Sequence, residues 1–300
     1  MEQTLIQALP KNEFKELCEL SSLRNLVFIV LEWASILLVV QVTVVFFNPV
    51  TYFLAVVWIG SRLHALAILM HEAAHYRLFK NRKINEFIGE VFCAWPITIT
   101  LKGYRNSHLA HHQHVNTKED PDWEDGSKED YRFPKNKNQM VYALLRNAVG
   151  LGFYSEFSDT AKSKDFNQIP LSLRIAQLTL FATLIACSFI FSFWKLLILF
   201  WVVPLITSLI FVLYFRTIAE HYGLVSNTRN TIGTFWEKIL LAPYNVGFHH
   251  DHHLHPGVPW YNLPRLHKVL LRDPEYASTA HTTKDGYFRG VLKECTQLKN

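Results

Sequence analysis

Eight histidines fall into three short clusters whose spacing suits metal ligation. HEAAH places His71 and His75 four residues apart, HLAHH places His108, His111 and His112 at i, i+3 and i+4, and HHDHH repeats that spacing with His249, His252 and His253. Residues three and four apart share one helical face, so each cluster would present its imidazoles together. The shifted frames fail, since His114 is followed by Val115 and His253 by Leu254. A purification tag does not account for the third cluster, which is internal and runs on into HPGVPW. Imidazole suits zinc, copper, iron and nickel. A structural zinc site would be closed and four-coordinate, usually with cysteine among its ligands, and no cysteine accompanies these clusters. Eight imidazoles are too many for one ion and suit two. A neutral all-nitrogen shell around paired redox-active ions fits oxygen chemistry on an unactivated substrate, with the protein supplying position and exclusion of water. The competing reading is a metal-handling loop of a binding or transport protein. Such loops carry loose HxHxH repeats, not ligands at helical spacing beside apolar helices.

The elements that must position these residues are apolar. Hydrophobic residues make up 50% of the 300-residue chain and charged residues only 18%, against about 25% charged in a typical soluble domain. Four stretches approach the roughly 20 apolar residues that cross a bilayer: Leu26 to Phe47, Thr51 to Met70, Ser172 to Phe193 and Leu196 to Phe215. The turns NPV and WK join them in pairs. The expected fold is therefore an all-α membrane protein, with four transmembrane helices in two hairpins capped by a helical domain that carries the histidines. Residues 1–25 form an amphipathic N-terminal segment, 26–70 and 172–215 the two hairpins, and 71–171 and 216–300 the extramembrane regions. The N-terminal segment lacks the pattern of a secretory signal, so insertion would rely on the first spanning helix. A short apolar stretch at 87–101, holding Pro96, reads as interfacial or re-entrant.

Both hairpins return the chain to its starting side, so the N-terminus, both extramembrane regions and every histidine but His64 share one face. Almost every lysine and arginine lies there, while the hairpin turns offer only Lys195. By the positive-inside rule that face is cytoplasmic. Cys18, Cys93, Cys187 and Cys295 form no CxxC pair and imply no disulfide framework. The net charge of +5 suits an anionic leaflet better than nucleic acid, for which a basic run with interleaved aromatics would be needed.

HEAAH, HLAHHQHVNTKEDPDW and FHHDHHLHPGVPWYNLPRLH resemble the three histidine boxes of the integral-membrane fatty acid desaturase superfamily. The likeness includes Asn116 and Asp120 to Trp123 after the second box, and His255, Pro256, Pro259, Leu263, Pro264 and His267 after the third. It covers roughly Leu26 to His267. The resemblance implies two iron ions in a non-haem di-iron centre, using O2 and two electrons to oxidise an alkyl C–H bond. Carried over, the ligands would be His71, His75, His108, His111, His112, His249, His252 and His253. His221, just after the fourth helix, stands where members of the superfamily add one more.

Glu72, Glu220 and Asp251 are placed to accept the second ring N–H of ligand histidines and fix their tautomers, and the Asn245 amide is placed to orient a ligand or water. His64 lies seven residues before His71 on the same helical face, near the metals or along a substrate path. His114, His250 and His255 fall outside the ligand frame. The favoured activity is desaturation of an acyl lipid; the alternative within the family is hydroxylation or ketolation of a carotenoid or other lipid. The chain shows no cytochrome, flavin or iron–sulfur motif, so the electrons would come from a separate partner, a ferredoxin or a cytochrome b5-type protein. Arg77, Lys80, Arg82 and Lys83 offer such an acidic carrier, or lipid headgroups, a basic surface.

Overall fold

The structure, a computed structural model, describes residues 11–121, 131–153, 169–222 and 228–297. The described residues are mostly helical, and four of the helices are long and apolar enough to cross a membrane. A short helix α1 (Lys11–Leu17) leads into α2 (Ser22–Val45), whose Ser21 cap accepts from the Arg24 N–H. Asn48 then caps α3 (Pro49–Ala74). Its side chain accepts from Val50 and Thr51 N–H, the Thr51 hydroxyl accepts from Asn48 N–H, and Pro49 takes the first position, where no N–H is missed. Next come α4 (Arg82–Ile88), continued by a π-helical turn and a 3₁₀ turn to Ile97, then α5 (Leu101–His114) and α6 (Lys137–Ala148). The remaining spans are α7 (Leu171–Ile190) and α8 (Trp194–His221). Pro204 has no N–H to donate and its ring would meet the carbonyl of Phe200. Around it α8 widens into π-helical turns at Ile198–Val202 and Leu205–Leu209.

α3 is the innermost helix. Every residue from Ile59 to Ala74 is buried, against α2, α5, α8 and the π turn at Gly89–Ala94. At Gly60 a Cβ would stand 2.4 Å from Cβ of Ser208, so α3 and α8 approach more closely than a side chain would allow, as small residues permit between membrane helices. In α7, by contrast, Ser188 alone is buried.

After α8 the chain forms α9 (Phe235–Leu240), α10 (His249–Leu254), α11 (Leu263–Leu270), α12 (Pro274–Thr279) and α13 (Leu292–Thr296), with β1 (Asn230–Thr231) and β2 (Thr282–Thr283) paired in parallel. Leu17 of α1 packs with Val258, Leu263, Leu266 and Tyr276 in a second core beneath α10. The fourth helix extends past the expected Phe215 to His221, and α6 lies within the region 71–171, where the sequence reading named no helix of its own. α6 is short and begins with polar residues, but an Asn136–Gln139 capping box starts it and Met140, Ala143 and Asn147 give it a buried stripe.

One ionic group ties the spans to the region that carries the third box. Arg62 of α3 lies with Nη1 3.3 Å from both carboxylate oxygens of Glu32 on α2. It also donates to Ser61 Oγ at 2.8 Å and to the Ile239 carbonyl, while the Tyr244 hydroxyl donates to Glu32. Removing one partner of a buried pair leaves the other charge uncompensated, at about 3–5 kcal/mol. Glu32→Ala is therefore expected to lower the unfolding midpoint of the detergent-solubilised protein substantially. A Glu32→Leu/Arg62→Met double variant should recover most of the loss. A single variant that melts like the parent would contradict this.

Candidate metal centre

Three helix ends and one short helix supply the histidines. His71 sits one turn from the end of α3 and His75 caps it, with Tyr76 at φ 57° turning the chain away. α5 starts at Thr100, whose hydroxyl accepts from Gly103 N–H at 3.2 Å, and carries His108, His111 and His112 in its last turns. Arg105, on the same helix, binds the end of α3: Nε donates to the Ala74 carbonyl and Nη2 to the Ala73 carbonyl, each at 2.9 Å. Glu86 holds the guanidinium from the other side at 2.7 and 2.9 Å. An arginine on the free carbonyls of a helix end both satisfies them and suits the dipole. Here it sets the first box against the second.

The nine rings converge as two groups. The nitrogens of His71, His75, His108, His112 and His252 lie within 4.8 Å of one another, as do those of His111, His221, His249 and His253. The HxxHH spacing explains the division. At about 100° per residue, positions i and i+4 differ by only ~40°, while i+3 and i+4 splay by about 100°. Thus His108 and His112 face one group and His111 the other; His249 and His253 face the second and His252 the first. Across the division, the His112 and His253 rings stack at 4.1 Å.

Within the groups, His108 Nε2 lies 2.9 Å from His75 Nε2 and 3.1 Å from His112 Nε2, and His249 Nε2 lies 2.9 Å from His221 Nε2. His71 Nε2 and His253 Nε2 are buried without any hydrogen-bond partner. A buried polar atom so left carries a penalty of about 1–3 kcal/mol. A cation shared by converging lone pairs would relieve it, so the donor set fits two metal ions. Burial keeps the rings neutral and ready to ligate. It pulls His75 down to about 4, helped by Arg77 and Arg105, and His112 to about 2, helped by His75 and His111. His108, His249, His252 and His253 are likewise held well below the usual range by burial and by neighbouring histidines.

The acidic residues divide by what they touch. Glu220 Oε2 lies 3.4 Å from His249 Nδ1 and its other oxygen accepts from Arg216 Nε at 2.6 Å. Glu72 Oε1 is 3.7 Å from His71 Nδ1, and Oε2 accepts the Trp260 N–H at 3.1 Å. Asp251 faces the other way, because it lies on the far side of α10. It binds Asn230 Nδ2 and His267 Nδ1, each at 2.8 Å, together with the Tyr276 hydroxyl, and so anchors the helix instead of a ligand ring. Asn245 donates to the Trp260 carbonyl at 3.2 Å and reaches no ring nitrogen. The closest carboxylate to a ligand ring is Asp120, whose oxygens lie 2.8 and 2.9 Å from His111 Nδ1 while Asn116 N–H donates to it. Its signal in the sequence was its place nine residues after His111, in the tail that follows the second box.

The other histidines stand apart from both groups. His64 is fully buried with neither ring nitrogen hydrogen-bonded, His114 is exposed, His250 meets Thr228 at 2.6 Å, and His255 packs by Phe14. Trp123, in the tail after the second box, lies outside the described residues.

The fatty acid desaturase family model matches residues 28–284. Curated relatives include the dihydrorhizobitoxine desaturase of Bradyrhizobium elkanii, 28% identical over 83% of this chain and 76% of its own. The sn-1 oleoyl-lipid 12-desaturase of Arthrospira platensis is 26% identical, over 88% and 79%. A beta-carotene ketolase of Paracoccus sp. (strain PC1) is also 26% identical, over 68% and 74%.

Loss of a carboxylate that holds a ligand ring typically costs 10–100-fold in metal affinity. Asp120→Asn is expected to weaken metal retention by about that factor, measured by competition with a chelator. Asn245→Ala should leave it near the parent value, and equal effects would contradict the geometry. The metal-free protein should also lose stability in acid. Its buried histidines take up protons on unfolding, near 6.5, but in the fold not until His75 reaches about 4. Stability is then complete above 6.5 and falls as the pH drops through that window. A flat unfolding midpoint from neutral pH down to about 4.5 would contradict burial of neutral rings.

Proposed function

Because the chain belongs to the fatty acid desaturase family and is an O2-dependent oxidoreductase of the membrane, we propose that it places a double bond in the alkyl chain of an acyl lipid, with two iron ions held by the nine histidines. The observation that carries this reading is the convergence of nine histidines in two groups able to hold metal, beside a small cavity bounded by His71, Glu72, His249 and His252 and by Ile68, Tyr244, Val246, Trp260 and Leu263. Apart from the histidines and Glu72, its wall is aliphatic and aromatic, which suits a methylene chain better than a polar substrate. When bound, the irons would supply reduction of O2 and oxidation of the C–H bonds.

The protein's own contribution is position and dryness. Asp120 holds His111 by Nδ1 and Glu220 stands beside His249 Nδ1, which assigns ligation to Nε2 in each ring. The cavity wall is fixed from outside. Tyr244 donates to Glu32, Trp260 Nε1 donates to Asn25 at 2.9 Å, and the Phe28 ring meets both aromatics edge-on. Tyr244 and Asn245 both adopt the left-handed conformation, φ 57°. That arrangement is costly for residues with side chains, and these bonds maintain it. Electrons would come from a separate ferredoxin or cytochrome b5-type carrier. The histidine side would face the cytoplasm, with the spans as two hairpins, in keeping with the sequence's distribution of lysine and arginine.

A second reading, hydroxylation or ketolation, is favoured by the likeness to the beta-carotene ketolase. Product analysis separates them. Incubation of membranes containing the protein with an acyl lipid, O2 and a reduced carrier should yield a product lighter by two hydrogens, and His111→Ala should yield none. A product heavier by one oxygen would move the assignment to the second reading. O2 consumption unchanged in His111→Ala would overturn both.

A further inference from the structure

We propose that α6 is a fifth membrane-embedded element, a helix that enters the leaflet on the histidine side without crossing it, and that its outer face is covered by lipid acyl chains. Its starting point is fixed outside the spans, where Lys135 N–H donates to the Cys295 carbonyl at 3.0 Å. From there the helix runs along α8, packing on its Ile210–His221 stretch and on its π turn at Leu205–Leu209. Just past its end the backbone touches α8 directly. A Cβ on Gly150, at φ 85°, would stand 2.8 Å from the Ile206 carbonyl oxygen, and one on Gly152 would stand 3.4 Å from Ile210 Cγ2.

Those contacts give the depth. Ile206 is twelve residues from Trp194 and fifteen from His221, the two ends of the span. At about 1.5 Å per residue, the end of α6 lies roughly 20 Å from the histidine end of α8, near the middle of the bilayer. With 12 residues α6 is far short of the roughly 20 that cross, and helices of this length at such depth are re-entrant. Its composition agrees. Met140, Ala143 and Asn147 face inward, the Asn147 amide donates to Ala143 O at 2.9 Å, and Arg146 in the last turn is half-buried and not without a partner, as a charge at that depth requires. Val141, Tyr142, Leu145, Val149 and Leu151 point outward, each more than half exposed. A patch of that kind is a liability in water and at home in hydrocarbon. Exposed apolar residues of the same kind stand on the spans themselves, at Ile198 and Val202 of α8 and Leu178 of α7, which argues for lipid as the occupant. Part of region 71–171 is thereby moved from the aqueous cap into the membrane, whatever the substrate.

The test is photo-crosslinking in intact membranes, with benzoylphenylalanine placed singly at Leu145, at Tyr142, at Asn138 near the start of α6 and at Leu178 of α7. Adducts to phospholipid, read by mass spectrometry, are expected at 145 and 142 at yields like those at 178, with little or none at 138. Tyr142 already holds an aromatic side chain, so its variant keeps the fold. Adducts at 142 and 145 to a second copy of the chain or to another protein would overturn the proposal. So would absence of lipid adducts there while Leu178 gives them. The readout uses neither metal nor turnover, so it stands or falls apart from the desaturase assignment.

Discussion

Nine imidazoles, buried or half-buried and gathered in two groups, impose the constraint on which the remaining structure depends. Each must stay neutral, since charging even two of them out of contact with water would be costly. Each must also aim one lone pair inward, where His71 and His253 have no hydrogen-bond donor to meet it. Such a cluster is unfavourable by itself and becomes favourable with cations at its centres. The fold therefore has to hold the rings in place against their own tendency to spread.

It does so by fastening every histidine-bearing element from behind. α3 is buried along its last four turns and its end carbonyls are held by Arg105. α10 has only six residues and no stability of its own, yet Asp251 secures it to β1, α11 and α12 through Asn230, His267 and Tyr276. The end of α8 is held by the fully buried Arg229, which donates to the Ala219 carbonyl at 2.7 Å and to Tyr222 O at 3.1 Å, and pairs with Glu294 at 2.9 Å. That brings Glu294, close to the C-terminal end, into support of the centre. Rigidity of this kind is what a site needs if ligand positions are to be set before the metal arrives.

Much of this was legible in the sequence, and the reasons differ by feature. The four spans can be read because hydropathy over some 20 residues is a property of the segment alone, and the observed helices depart from the expected ends by a few residues at caps such as Ser21 and Asn48. The ligand-type histidines can be read because HxxHH is a local pattern. Their division into two groups could not be, because it depends on how α5 and α10 are rotated toward each other. Asp251 and Asn245 show the same limit from the other side: adjacency in sequence suggested ring contacts, while the helix turned Asp251 toward α12 and the left-handed turn sent Asn245 to Trp260. Asp120 stands in the tail after the second box, but its contact with His111 and that of Arg105 with the end of α3 depend on how the chain folds back, which no local pattern fixes. α6 was missed because it is short and its apolar face looks outward.

The central claim is that the two histidine groups hold a pair of iron ions. The most direct measurement is the metal content and Mössbauer spectrum of the protein purified with 57Fe, beside His111→Ala and a Lys238→Ala control far from the rings. The account predicts about two irons per chain, one for each group, with the spectrum of a coupled pair, unchanged in the control and lost in His111→Ala. Zinc in place of iron, or a load that survives loss of His111, would contradict it.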